Sequence, residues 1–224
     1  MKNKYFLFLF VGIGWELNCV AQYDSTYRPE IYQSRVEMFN AMPVEKKDIV
    51  FYGNSITFWG DWAALLGKPI YKNRGIPGDT SFGLLELLDV TLHGKPRQIF
   101  IMIGINDLAR GVPREVILNN YKRILAMIRE RSPRTRVYFQ SILPVNESFG
   151  KLNNHYKRAD EIPEINNFLQ QWTKEEHVGY VDLFSAMVNE NGRLKKEFTW
   201  DGIHLTINGY QQWITVLRRE KLIH

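Results

Sequence analysis

The sequence predicts an α/β domain built on a parallel, doubly wound sheet, and three observations predict it. Short apolar runs alternate with stretches of helical periodicity along the chain. One run, residues 98–103, is almost entirely apolar, as a strand covered on both faces requires. The loops after the first three runs carry Gly-Asn-Ser, Gly-Ile-Pro-Gly-Asp and Gly-Ile-Asn-Asp in turn. Ligands of such sheets sit beyond the carboxyl ends of the strands, so three chemically capable loops converge on one rim.

Taken in order, residues 29–39 read as a helix preceding the sheet. Residues 48–52 (Asp-Ile-Val-Phe-Tyr) read as a buried first strand that ends in Gly53. A helix is expected over 61–66, a short strand over 69–72, a Gly/Pro loop over 75–78 and a helix over 80–88, with Asp79 as its cap. After the third strand (98–103), Ile117, Tyr121, Ile124, Leu125 and Ile128 repeat at three, four and seven residues. That spacing predicts an amphipathic helix over 113–131, with Pro113 near its first turn. The fourth strand is expected at 136–142 and the fifth at 179–183, with helices at 165–176 and 208–219. Residues 146–160 form a long polar segment after the fourth strand, and a loop of that length at a binding rim is usually functional.

A chain of 224 residues suits one domain with a sizeable core, and 45% hydrophobic with 24% charged residues is ordinary for a globular protein. The net charge of +5 is modest. Its densest cluster, Arg129, Arg131, Arg134 and Arg136, complements a helix C-terminus, and no aromatic-interleaved basic stripe suggests nucleic-acid binding. The first 21 residues differ: Lys2 and Lys4 precede an apolar run over 5–13, and Cys19-Val20-Ala21 ends in small residues. This is the layout of a secretory signal, with the mature domain beginning at Gln22 and spanning 22–224. The run is too short to span a membrane, so export without stable membrane insertion is expected, to the periplasm or beyond. A buried first element is the other reading of this stretch, and lipidation at Cys19 is the minor variant of export.

Four motifs carry the chemistry. Gly53 lets the chain turn sharply out of a strand, placing the Ser55 hydroxyl and N–H at the rim. The elbow of the α/β-hydrolases is absent, because Thr57 stands where its second glycine would be. Gly78 can turn a backbone N–H toward a ligand, and no Lys-Ser/Thr tail of a P-loop follows it. Asn106 offers a neutral amide directly after a central strand, able to donate to an anion without acting as acid or base. Asp201 and His204 lie in a loop before the last helix, where a carboxylate three residues upstream can fix an imidazole's tautomer. His93, His155, His177 and His224 lack that acidic neighbour and read as surface or satisfied histidines. Trp62 reads as helix core; Trp59 and Trp200 read equally as core or as platforms for a sugar ring.

Ser55, Gly78, Asn106 and His204, in this order and context, resemble the SGNH hydrolases, the GDSL-type esterase/lipase superfamily. The flanking segments, Gly-Asn-Ser-Ile-Thr at 53–57, Asn-Arg-Gly-Ile-Pro-Gly-Asp-Thr at 73–80, Gln-Ser-Ile-Leu-Pro-Val-Asn at 140–146 and Asp-Gly-Ile-His-Leu at 201–205, are similar to platelet-activating-factor-acetylhydrolase-like and sialate O-acetylesterase-like members. The resemblance covers about residues 45–215. It implies a three-layer flavodoxin-like fold with a five-stranded parallel sheet and no metal or cofactor. It implies Ser55 as nucleophile, His204 as base then acid, Asp201 as its orienting partner, and Ser55, Gly78 and Asn106 as the oxyanion hole. Asn54 stands where the family's name motif has Asp, which drops a charge, and Phe58 stands where related sequences often have an acidic residue. The leading expectation is a secreted esterase acting on acetyl esters of carbohydrate or small molecules. A phospholipid or lysophospholipid acylhydrolase is the alternative, and a non-catalytic flavodoxin-like binding module is the alternative of another class.

Overall fold

Ile49, Val50, Phe51 and Tyr52 are fully buried, and the strand they form is paired on both sides. The computed structural model describes residues 23–223. The leader expected over 1–21, with Cys19, and His224 therefore lie outside the described residues. Strands β1 (Ile49–Gly53), β2 (Tyr71–Gly75), β3 (Gln98–Met102), β4 (Arg136–Gln140) and β5 (Gly179–Val181) pair in parallel in the order β2-β1-β3-β4-β5. The helices are α1 (Tyr32–Ala41), α2 (Ser55–Phe58), α3 (Trp62–Leu66), α4 (Ser81–Leu92), α5 (Ile105–Ala109), α6 (Arg114–Arg131), α7 (Asn153–Tyr156), α8 (Glu161–Glu175), α9 (Phe184–Met187) and α10 (Ile207–Arg219).

The two faces of the sheet follow from strand alternation. On β1, Phe51 stacks on Trp62 of α3 at 3.7 Å between centroids and meets Trp213 of α10 edge-on, while Tyr52 points the other way and donates to the Leu84 carbonyl of α4. On β4, Phe139 packs against Tyr121 of α6 and Trp172 of α8, while Gln140 accepts the indole N–H of Trp213. Helices α4, α6 and α8 thus cover one face and α3 and α10 the other, giving the three layers expected. The strand order reverses between β1 and β3, the crevice where ligands of open α/β sheets bind.

Several boundaries moved, each for a local reason. Strand β2 continues to Gly75 because Asn73 and Arg74, turn-like by residue type, brace an edge. Asn73 Nδ2 donates to the carbonyls of Thr57, Phe58 and Gly60, and its Oδ1 accepts the Gly75 N–H. Arg74 donates to the Met42 carbonyl and lies over the Phe39 ring. Helix α8 starts four residues early, at Glu161, because Pro163 falls in the first turn where its missing N–H is no loss. Asp79 does not cap α4. That helix starts at Ser81, whose N–H and hydroxyl both donate to Asp107 instead. The helix expected to open at Ser55 is α2, whereas the short helices α5, α7 and α9 escaped the sequence because four or five residues are too few to show a period.

Candidate active site

The nucleophile candidate is placed by three local devices. A side chain at Gly53 would put its Cβ 2.3 Å from the Met102 carbonyl, so only glycine lets β1 and β3 stay paired as the chain turns out. Asn54 then caps α2, its Oδ1 accepting the Ile56 N–H at 3.0 Å. The cap needs an acceptor oxygen, which an amide supplies as well as the carboxylate of the family motif. Tyr210 of α10 donates to the Ile56 carbonyl and ties the turn to the opposite layer. Ser55 is the first helical residue, so its N–H has no partner within the helix.

Around Ser55 stand the other predicted groups. Gly78 has φ +80°, and a Cβ there would crowd Pro29 at 3.2 Å. Asn106, in the first turn of α5, is buried and donates through Nδ2 to the Asp79 carbonyl at 2.8 Å. Among the described residues neither the Ser55 N–H nor the Gly78 N–H donates to another backbone or side-chain group. Three donors therefore border the same space, two of them free.

Asp201 and His204 reach this space from the loop before α10. His204 Nε2 lies 2.9 Å from Ser55 Oγ, and His204 Nδ1 lies 2.6 Å from Asp201 Oδ2. Burial pushes the Asp201 carboxyl up. The hydrogen bonds from the His204 ring and from the backbone N–H groups of His204 and Ile203 outweigh it and hold the group below the usual carboxylate range. An ionised Asp201 accepts only, so Nδ1 carries a proton, and in the neutral ring Nε2 is the nitrogen left to accept from Ser55 Oγ.

The cleft in front of Ser55 has a volume of about 720 Å³ and is lined by Gly78, Asn106, His204, Trp59, Trp200 and Arg110, among others. Trp62 is core, as expected. Trp59 and Trp200 are 58% and 51% exposed and border the cleft. Trp200 lies nearly parallel to the His204 ring at 5.4 Å. His155 keeps the satisfied state its sequence reading allowed, with a partner that reading did not name. That partner belongs to the site itself: His155 Nε2 is 3.0 Å from Asn106 Oδ1, and His155 lines the cleft. No acidic spacing marked it; the signal was its place in the long segment 146–160. Its neighbour Tyr156 donates to the Asp201 carbonyl at 2.8 Å. Among the described residues no group of three or more His, Cys, Asp or Glu side chains is gathered as a metal would need.

With this geometry in view, the profile of the GDSL-like lipase/acylhydrolase family matches residues 51–212 of the chain. The chain belongs to this family. A solved structure from Streptococcus pneumonia, provisionally described as a platelet activating factor, is 34% identical, covers 85% of this chain and 91% of its own, and superposes with a TM-score of 0.77. N-acylneuraminate cytidylyltransferase of Streptococcus agalactiae serotype V is 27% identical over 136 residues, which is 61% of this chain and 31% of that protein. Platelet-activating factor acetylhydrolase IB subunit alpha1 of Bos taurus is 23% identical over 172 residues, 74% of this chain and 71% of that protein. The chain thus spans about a third of the length of the cytidylyltransferase relatives.

This member of the GDSL-like family also builds a buried acidic support beneath the site. Burial pushes the Asp107 carboxyl up to about 6, against the hydrogen bonds from the Ser81 hydroxyl and N–H that favour its charge. Asn120 of α6 donates to the Ser81 hydroxyl in turn. Asp79 is raised well above the ordinary value, first by burial and further by the neighbouring Asp107. Its carbonyl is the one that receives Asn106, so the support joins α4, α5 and α6 under the amide.

Proposed function

We propose that the protein is a secreted serine esterase that cleaves acetyl esters carried on carbohydrate, through an acyl-enzyme on Ser55. The observation that carries this reading is the line from Asp201 through His204 to Ser55, at 2.6 and 2.9 Å, opening on a space bordered by Gly78 and Asn106. His204 takes the Ser55 proton as Oγ attacks the ester carbonyl. The oxyanion is received by the N–H groups of Ser55 and Gly78 and by Asn106 Nδ2. His204 then returns the proton to the departing alkoxide, and water enters by the same route to release the acid. Asp201 holds the imidazole in its Nδ1–H tautomer and balances the imidazolium that forms.

Three features support the substrate class. The two exposed tryptophans at the cleft offer flat faces of the kind sugar rings stack on. The apolar residues lining the cleft beyond them are few, Pro77, Ala109 and Leu152, which suits an acetyl group better than a long acyl chain. One relative is an acetylhydrolase and another handles an acylated sugar acid, by name. Hydrolysis rates across acetyl, butyryl and octanoyl esters, and across sugar acetates against phospholipids, test the reading with Ser55→Ala as the blank. Acetyl sugars should lead; a preference for octanoyl esters or phospholipids would overturn it. The export reading is tested by sequencing the N-terminus of protein recovered outside the cytoplasm, which should begin at Gln22.

A further inference from the structure

We propose that His155 is a positioning residue that locks the Asn106 amide in the orientation the oxyanion hole requires. The inference rests on Asn106 serving that hole. Asn106 has two polar ends, and each has one partner. The Asp79 carbonyl can only accept, so the Asn106 atom 2.8 Å from it is Nδ2. The other end, facing His155 Nε2 at 3.0 Å, is therefore Oδ1, and Oδ1 also only accepts. His155 Nε2 must then carry a proton. Burial, with His204 and Arg110 nearby, holds the His155 pKa below its ordinary value, so the proton belongs to the neutral Nε2–H tautomer.

The two contacts pin both ends of the amide. One Nδ2 hydrogen is spent on Asp79, and the second is left for the cleft. Without His155 the amide keeps a single anchor and can swing about its side-chain torsions, which either withdraws the second hydrogen or offers Oδ1 to a developing negative charge. His155 is itself held. Its own N–H donates to the Leu152 carbonyl, Tyr156 is tied to the Asp201 carbonyl, and Arg158 donates to the Val112 carbonyl. The short helix α7 thus fastens the loop carrying Asp201 with one residue and the oxyanion donor with the one before it.

The test compares His155→Leu, His155→Gln and Asn106→Ala, alone and combined, with p-nitrophenyl acetate as the probe. Leucine removes the donor, whereas the glutamine amide can place an N–H near the Nε2 position. The expected result for His155→Leu is a kcat lowered on the order of 10-fold with KM nearly unchanged, because a displaced donor weakens the transition state more than the ground state. Most of the loss should return in His155→Gln, and His155→Leu should add nothing in the Asn106→Ala background. An unchanged kcat, or losses that multiply in the double variant, would overturn the proposal. In the wild type, ¹⁵N shifts should report the Nε2–H tautomer of His155, and the Nδ1–H tautomer would equally overturn it. Phosphonylation of Ser55 by a fluorophosphonate separates the two readings. Wild type that labels while His155→Leu behaves normally removes only this inference, and wild type that fails to label removes the serine-esterase reading with it.

Discussion

Asp201 and His204 meet twice: Asp201 Oδ2 lies 2.6 Å from the imidazole Nδ1, and Oδ1 accepts the backbone N–H of the same histidine at 2.8 Å. The carboxylate therefore fixes the loop and the ring together. Asp201→Asn keeps the shape but can present an N–H to Nδ1, favouring the wrong tautomer. Steady-state kinetics should show kcat lowered by about 10³–10⁴ with KM little changed. Turnover near that of the wild type would take Asp201 out of the mechanism.

Asn106 is expected to matter for the transition state alone. Asn106→Ala should cost about 10²–10³ in kcat, the usual effect of removing one oxyanion donor. A rise in KM with kcat intact would instead make Asn106 a substrate-binding group.

The tryptophans separate sugar esters from plain esters. Trp59 is largely exposed, and among the described residues its ring meets Phe58 and no catalytic candidate. Trp59→Ala should raise KM for a sugar acetate by about 3- to 10-fold, the scale of one aromatic face. KM for a simple alkyl acetate should stay put. Equal effects on both would argue against a carbohydrate platform.

The buried acid Asp107 predicts a stability that declines as pH rises. Its folded pKa, about 6, lies above the value of 3.8 taken for the free group. The folded state therefore binds the proton more tightly, so this contribution is fully present below the unfolded pKa and lost as pH rises through the folded one. The difference corresponds to an upper bound of about 3 kcal/mol. Asp79, shifted in the same direction, adds the same sign. Urea midpoints at about pH 4 and about pH 7 should differ less in Asp107→Asn than in wild type. An identical pH dependence would assign the effect elsewhere.

The central strands and the reactive motifs were legible because their physics is local. A run such as Ile-Phe-Ile-Met, short and bounded by turn residues, fits a strand covered on both faces, and Gly-Asn-Ser after such a run marks a tight exit. The contribution of β2 beyond Lys72 was hidden because Asn73 and Arg74 look like turn residues until their carbonyl partners, up to 32 positions away, are in place. Asp107 was read within its motif as a neighbour of Asn106, whereas it caps a helix that starts 26 residues earlier. His155 was passed over for the same reason: its partner is 49 residues away, and no spacing within the chain announces it.

The central claim is that Ser55 is a nucleophile activated by His204. Intact mass after fluorophosphonate treatment tests it most directly. Wild type should gain the mass of one adduct, and Ser55→Ala should gain none. Wild type without an adduct, or an adduct that persists in Ser55→Ala, would contradict the account.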